Sequence, residues 1–211
     1  GSKLYGSVTE KDISEKINDD SISEYINKVF NKVLEIILSL SYLIVAITFL
    51  IFRFVFSNDY MLAYYQVGIL VCSTVVLFEA QFLGSIMVGY KDTRALGETT
   101  VIAATVNIGI DIFLIDKIGL YAASLSTLFG NVILLIVRLW IIHKNINIKL
   151  EAKLYIEWGI FFLVFFLYYL NDSYLNVINL IMSIGLFVGI NHKILIELFK
   201  KVKKCEKRWR K

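Results

Sequence analysis

One acidic residue lies in the middle of an apolar run and is the first candidate for chemistry. Glu79 is near the centre of residues 66–90, where a charged carboxylate costs about 2.5 to 3.5 kcal/mol on insertion into a bilayer. Such a residue is expected to be protonated or paired. It is either functional, as a coupling site for a proton or sodium ion or as part of a cavity wall, or it is a neutral carboxyl hydrogen-bonded inside the bundle.

The other reactive residue types do not combine into an enzyme motif. His143 and His192 have no nearby Ser, Cys or carboxylate pair at a spacing typical of a nucleophile or a metal site. Cys72 lies in an apolar run and Cys205 in a basic tail, so a disulfide or a shared metal between them has no basis. We therefore expect no catalytic activity, no metal and no cofactor.

The composition indicates which elements must position these residues. The 211 residues are 57% hydrophobic and 19% charged and include no proline, and the mean hydropathy is +0.68. Soluble domains carry about 25% charged residues. The apolar content excludes a disordered chain, and two cysteines are too few for a small disulfide scaffold. The class that remains is a polytopic membrane protein.

Six continuous apolar runs predict an all-α fold with six transmembrane helices. The predicted spans are residues 33–52, 66–90, 99–115, 118–142, 154–170 and 174–190. Continuous runs of this length favour helices over the alternating segments of a barrel. Residues 1–32 are expected to form a cytoplasmic polar or amphipathic entry segment, residues 33–191 the helical lobe, and residues 192–211 a basic cytoplasmic tail.

The basic residues predict the orientation. If the amino end is cytoplasmic, all but two of the 22 Lys and Arg fall on the inner side, with Arg138 snorkelling inward from the fourth span. The two on the outer side are Arg53 and Lys117. We therefore expect a multi-pass protein of a bacterial or archaeal cytoplasmic membrane, with both ends of this region in the cytoplasm.

Polar residues on the first two spans are candidates for a substrate path. On the second span they recur at steps of three, four and seven, which places them on one face, nearly opposite Glu79. This face either lines a wet cavity or packs against another helix through small residues. The candidates are Thr74, Gln81 and Ser85 on the second span, beside Gly84, and Glu35, Ser39 and Tyr42 on the first.

Two further polar groups receive structural interpretations. The third and fourth spans bring five residues to similar depths, where we expect hydrogen bonds between the helices at about 0.6 kcal/mol each. These are Asn107, Asp111, Ser124, Thr127 and Asn131.

The basic tail predicts either a helix bound to the anionic membrane surface, with about 1 kcal/mol of attraction for each Lys or Arg, or a solvated tail. It does not predict a nucleic-acid site. Its cations include Lys200, Lys201, Lys203, Lys204, Arg208 and Arg210.

Several stretches carry a family resemblance. They are "SEYINKVFNKV" and "FLGSIMVGYKDTRALGETTVIAATVNIGIDIFLIDKIGLYAASLSTL", which contain the turn at residues 90–93, Asn107 and Gly119. In this order they resemble the carboxyl-terminal half of the polysaccharide flippases, the O-antigen and capsule transporters within the multidrug/oligosaccharidyl-lipid/polysaccharide exporter superfamily. The chain differs where Asp116 replaces the usual proline, Ala122 the frequent glycine and Glu79 a small polar residue.

The resemblance implies a function in cell-surface polysaccharide synthesis. Members of the family have two six-helix lobes around a cavity lined by the first two helices of each lobe, and alternate their access across the membrane. The chain would be the carboxyl-terminal lobe, and the opening Gly-Ser without Met suggests a fragment. Its partners would be an amino-terminal six-helix lobe, the bilayer and an undecaprenyl-pyrophosphate-linked oligosaccharide. A lobe of a multidrug or ion antiporter and a degenerate, non-transporting membrane subunit are the alternatives.

The orientation can be tested by thiol labelling of single-cysteine variants in which the native cysteines are replaced. Cysteines at Asn58, Lys117 and Asp172 should react with an impermeant reagent added outside intact cells, whereas cysteines at Thr93 and Asn145 should react only after lysis. Labelling in the opposite pattern would overturn the predicted topology.

Overall fold

Six α-helices make up nearly all of the part of the protein that a computed structural model describes, residues 20–56, 60–143 and 146–209. The helices are α1 (Asp20–Phe54), α2 (Met61–Gly89), α3 (Thr93–Ile118), α4 (Tyr121–Ile142), α5 (Ala152–Leu170) and α6 (Ser173–Trp209). No strand occurs in these ranges. The predicted all-α fold of a polytopic membrane protein is confirmed.

Five of the six described helices are long and apolar enough to cross a membrane: α1, α2, α4, α5 and α6. The remaining helix, α3, has 26 residues and includes Asn107 and Asp111. It contains the whole predicted third span, residues 99–115, so its helical state agrees with the sequence. That α3 also crosses the membrane stays a prediction.

Short turns with specific capping residues join most of the helices. The Asp92 side chain accepts a hydrogen bond from the backbone N–H of Ala95 (3.2 Å) at the start of α3. Gly119 ends α3 with φ of +55°, a conformation that glycine adopts without strain. Asp172 starts α6 by accepting bonds from the N–H groups of Tyr174 and Leu175. These turns make α2–α3, α3–α4 and α5–α6 sequential, antiparallel pairs.

The helices form two groups of three. In one group α4 packs against both α2 and α3, and in the other α1 packs against both α5 and α6. The groups meet mainly where α1 packs against α2, and α2 also touches α5. A buried cluster of apolar side chains from α1, α2 and α5 fills this junction, including Leu38, Val45, Val75, Phe161 and Val164. α1 is the most buried of the five apolar helices.

Both long helices extend beyond their predicted spans. α1 begins at Asp20, and Ile26 in its extension is buried with Leu83, Ile86 and Ile142. α6 has 37 residues, or about 55 Å at 1.5 Å per residue, against about 30 Å of bilayer hydrocarbon. The helix is unbroken through the basic tail as far as Trp209.

The membrane-surface prediction for this tail rests mostly on side chains that the structure does not describe. Lys200 is exposed. The side chains of Lys201, Lys203, Lys204, Arg208 and Arg210 lie outside the described part.

The α3–α4 interface is a close approach of two backbones. A Cβ atom placed on Gly130 of α4 would lie 3.0 Å from the Asn107 Cβ and 3.2 Å from the Ala103 carbonyl oxygen of α3. Small residues that allow such an approach are typical of helix pairs in membranes. Since α3 packs mainly on α4, the position of α3 depends on this contact.

Enlarging Gly130 should therefore weaken the bundle. We expect Gly130→Leu to lower the free energy of unfolding in mixed micelles by about 1 to 3 kcal/mol, because the side chain overpacks the interface. The matched control is Gly109→Leu on α3, where a Cβ meets nothing within 4 Å. Equal stability of the two variants, measured by circular dichroism, would contradict this account of the interface.

Candidate functional site

One side of α1 carries polar residues at intervals of four, and each of them binds another part of the chain. Asn27 and Asn31 bind the α4–α5 loop, Glu35 binds Lys153 at the start of α5, and Ser39 binds Asn191 of α6. Residues four apart lie above one another on a helix. We call this line of four residues the α1 seam.

The two asparagines of the α1 seam hold the α4–α5 loop as an extended segment. The Asn27 side chain donates to the Asn147 carbonyl (3.1 Å) and accepts from the Lys149 N–H (2.7 Å). The Asn31 side chain donates to the Lys149 carbonyl (2.9 Å) and accepts from the Glu151 N–H (2.9 Å). Side-chain amides thereby satisfy backbone groups at alternate loop residues, as a neighbouring strand would.

Next along the α1 seam is a cluster of charged residues. The Glu35 carboxylate accepts from Lys32 at 2.7 Å and also from Lys153. Lys153 lies 3.6 Å from the Glu157 carboxylate, which is 3% exposed and accepts no hydrogen bond from the described residues. Sequence reasoning missed both α5 residues. The available signal was their spacing of four at the start of a span, with opposite charges.

The three α1 candidates for a cavity wall are buried between helices. Ser39 and Tyr42 are fully buried and Glu35 nearly so. Ser39 accepts from the Asn191 side chain at 2.8 Å, and the Tyr42 hydroxyl donates to the Glu157 carbonyl at 2.7 Å. These side chains are thus packed between helices, which was the alternative to a cavity wall, and a role in a substrate path stays a prediction. Packing of α5 and α6 against this side of α1 explains their burial.

The α2 candidates are placed differently, because Thr74, Gln81 and Ser85 are all exposed. They follow one line along the outer surface of α2, together with the exposed apolar residues Leu70 and Phe78. We call these five residues the α2 line. The Thr74 and Ser85 hydroxyls donate to carbonyls of their own helix, whereas the exposed Gln81 amide forms no hydrogen bond with any described residue. Gln81 therefore requires water or a polar partner.

Arg138 is buried and does not reach the inner surface, which corrects the prediction that it snorkels. It is 2% exposed. Its guanidinium donates to the Ala80 carbonyl (2.7 Å) of α2 and to the hydroxyls of Thr99 (3.3 Å) and Thr100 (3.2 Å) of α3. Gly84 makes room for this side chain, since a Cβ there would lie 2.7 Å from an Arg138 nitrogen. Arg138 thus ties α2, α3 and α4 together.

The five residues predicted to bond between the third and fourth helices do not bond across α3 and α4. Asn131 donates to the Ser73 hydroxyl (2.8 Å) of α2 instead. Ser124 and Thr127 donate to carbonyls of their own helix. Asn107 packs against Gly130, and the buried Oδ1 of Asp111 has no partner among the described residues. At this interface the close backbone approach is accompanied instead by the bonds from Arg138 to Thr99 and Thr100.

Four tyrosines connect α2 and α5 at the ends opposite the α1 seam asparagines. The Tyr64 hydroxyl donates to the Tyr168 carbonyl (3.1 Å), and the Tyr168 hydroxyl donates back to the Tyr64 carbonyl. Their rings stack at 4.2 Å. Beside them the Tyr169 hydroxyl donates to the Tyr65 carbonyl (2.8 Å). The two three-helix groups are therefore joined by specific bonds at both ends.

Glu79 has none of the internal partners expected of a structural carboxyl. Its Oε1 atom is buried and has no hydrogen-bond partner among the described residues. Within the described ranges, no group of three or more His, Cys, Asp or Glu residues could hold a metal ion.

The comparisons with known proteins found no family model, no curated protein and no solved structure that matches the chain.

Removing the two asparagines should release the α4–α5 loop. We expect Asn27→Leu/Asn31→Leu to speed tryptic cleavage after Lys149 by at least about tenfold, because four hydrogen bonds worth about 1 kcal/mol each are lost. The matched control is Asn147→Leu, since Asn147 contacts the α1 seam through its backbone carbonyl. A double variant cleaved at the rate of the unchanged protein would show that the loop is held by something else.

Proposed function

We propose that the chain forms one six-helix lobe of a membrane transporter, in the position of a carboxyl-terminal lobe, and that the transporter moves a lipid-linked oligosaccharide across the cytoplasmic membrane. Support comes from the resemblance to polysaccharide flippases, from the two-sided distribution of Lys and Arg and from the α2 line. The cargo proposed from the resemblance is an undecaprenyl-pyrophosphate-linked oligosaccharide, moved from the inner to the outer leaflet.

The exposed amide of Gln81 carries this proposal. An uncompensated amide in an apolar medium costs about 2 to 7 kcal/mol, so the α2 line is unsuited to lipid at this point. A water-filled cavity would satisfy the amide. It would also present hydrogen-bonding groups to the hydroxyls of a sugar. In this arrangement the α2 line faces a second lobe across the cavity.

The bonds at both ends of the bundle suit a lobe that moves as one body. The tyrosines join α2 to α5 at one end, and the α1 seam holds the α4–α5 loop at the other. Alternating access by rocking of two lobes requires each lobe to keep its internal packing while the cavity opens to one side and then the other.

Each alternative has one observation in its favour. An ion or drug antiporter lobe is favoured by the unpartnered carboxyl of Glu79, because coupling ions bind such groups. A non-transporting subunit would instead cover the α2 line with a partner protein, whose polar groups would bind Gln81.

The transporter proposal is tested by Gln81→Leu in the assembled transporter that contains this chain. We expect export of surface polysaccharide to fall by up to about tenfold at normal expression, because a hydrogen bond to the cargo or its water is worth about 0.5 to 1.5 kcal/mol. Thermal stability should not fall, because no described residue loses a bond. The measurement is surface polysaccharide in a strain that lacks its own flippase.

The matched control is Phe78→Leu, which changes an exposed apolar residue of the same α2 line. It should leave export unchanged. Normal export by Gln81→Leu would mean that the α2 line is a packing surface, and the proposal would lose its main support. Equal losses in both variants would indicate a steric requirement of α2 rather than a polar contact.

A further inference from the structure

Glu79 is the one charged residue in the 29 residues of α2. Val75 and Leu83 lie four residues before and after it, and both are fully buried. Residues at this spacing share a helix face, and this face packs into the two apolar clusters at the junction with α1. Glu79 itself is half-buried, with its Oε1 atom enclosed.

None of the ion pairs among the described residues includes Glu79. On α1, Glu35 is paired with Lys32 and Lys153. On α4, Arg138 donates to Ala80 and to two threonines of α3. None of these cations lies within 4 Å of the Glu79 carboxylate.

The remaining titratable groups near α1 and α2 do not neutralise Glu79 either. Glu157 of α5 lies beside Lys153, and the Tyr42 hydroxyl donates to the Glu157 carbonyl. Asp111 of α3 and Cys72 of α2 carry no positive charge in any protonation state. An ionised Glu79 would thus be a half-buried charge without a counter-ion, which membrane and protein interiors disfavour.

The surroundings of Glu79 also decide which ligand can neutralise it. A metal cation such as Ca²⁺ or Mg²⁺ needs about six oxygen ligands, and the residues that share the face of Glu79 offer none from their side chains. A proton needs one carboxylate oxygen. The geometry favours the proton.

We propose that Glu79 is a reversible proton-binding site of this lobe. With α1 and α2 packed as in the structure, Glu79 holds a proton as the neutral acid. When water reaches the carboxyl, the O–H bond breaks, the proton passes to water and the carboxylate remains. The carboxylate is stable only in the arrangement that admits water. Binding of a proton therefore shifts the equilibrium of the lobe toward the packed arrangement. This inference rests on the proposed function for its role in transport, and the binding of the proton stands without it.

The proton-binding site is tested with dicyclohexylcarbodiimide, which reacts with protonated carboxyls in apolar surroundings. The purified protein is treated in lipid nanodiscs at a series of pH values, and adducts are located by mass spectrometry of its peptides. We expect an adduct on Glu79 at the acidic end of the series. Its yield should fall about tenfold for each pH unit above the titration midpoint and vanish in Glu79→Gln.

The surface residue Glu98, which pairs with Arg94, provides the control variant. Glu98→Gln should keep the Glu79 adduct and its pH dependence. A Glu79 adduct whose yield does not change with pH would overturn the proposal.

If no adduct forms at any pH, infrared difference spectroscopy decides between a shielded and an ionised carboxyl. The carbonyl stretch of protonated carboxyls should be weaker in Glu79→Gln than in the unchanged protein at the same pH, and in the same apolar frequency range it should be unchanged in Glu98→Gln. Equal bands in the unchanged protein and in Glu79→Gln at the acidic end would overturn the proposal.

These measurements need no oligosaccharide, so they separate the two proposals. A protonated Glu79 together with normal export by Gln81→Leu would contradict the transporter lobe and keep the proton site. An ionised Glu79 together with loss of export in Gln81→Leu would contradict the proton site and keep the transporter lobe.

Discussion

The bundle depends on the requirement that polar groups between membrane helices find partners within the protein. α1 meets this requirement along its seam, where Asn27, Asn31, Glu35 and Ser39 each bind a group from the α4–α5 loop, α5 or α6. Glu35 and Ser39 lie within the predicted first span, where hydrocarbon would offer them no hydrogen bonds, whereas Asn27 and Asn31 precede it. The α1 seam therefore sets which elements surround α1, and the apolar clusters fill the space that it defines.

The same requirement applies to the two polar faces of α2, whose polar groups also need hydrogen-bond partners. Hydroxyl groups on a helix can return to their own backbone carbonyls, as Thr74 and Ser85 do. The amide of Gln81 and the carboxyl of Glu79 have no such solution in the structure, one on the exposed side and one on the side toward α1. These two residues are among the places where the described bundle is incomplete without water, a proton or another molecule, and Asp111 and Glu157 are two more.

The sequence predicted the helices well and their neighbours poorly. Apolar runs of sufficient length and polar turns located six helices. The periodicity of α2 grouped Thr74, Gln81 and Ser85, which are all exposed, but it also placed Gly84 with them, and Gly84 is buried against Arg138. Periodicity does not reveal which helix covers a face. Glu35 meets Lys153 from 118 residues away, so its burial was not predictable from α1 alone. Arg138 was expected to reach the surface because the space beside Gly84, on another helix, is invisible in the sequence of α4.

The long separation within the α1 seam has a consequence for biosynthesis. The contacts of Asn27 and Asn31 span 118 to 122 residues of chain. A ribosome adds about 5 to 20 residues per second, so α1 exists for roughly 6 to 24 s before its partners emerge. During this interval its asparagines and Glu35 lack their final partners and need water, lipid headgroups or the insertion machinery. The most buried of the apolar helices is thus the first of the six to be made and among the last to be completed.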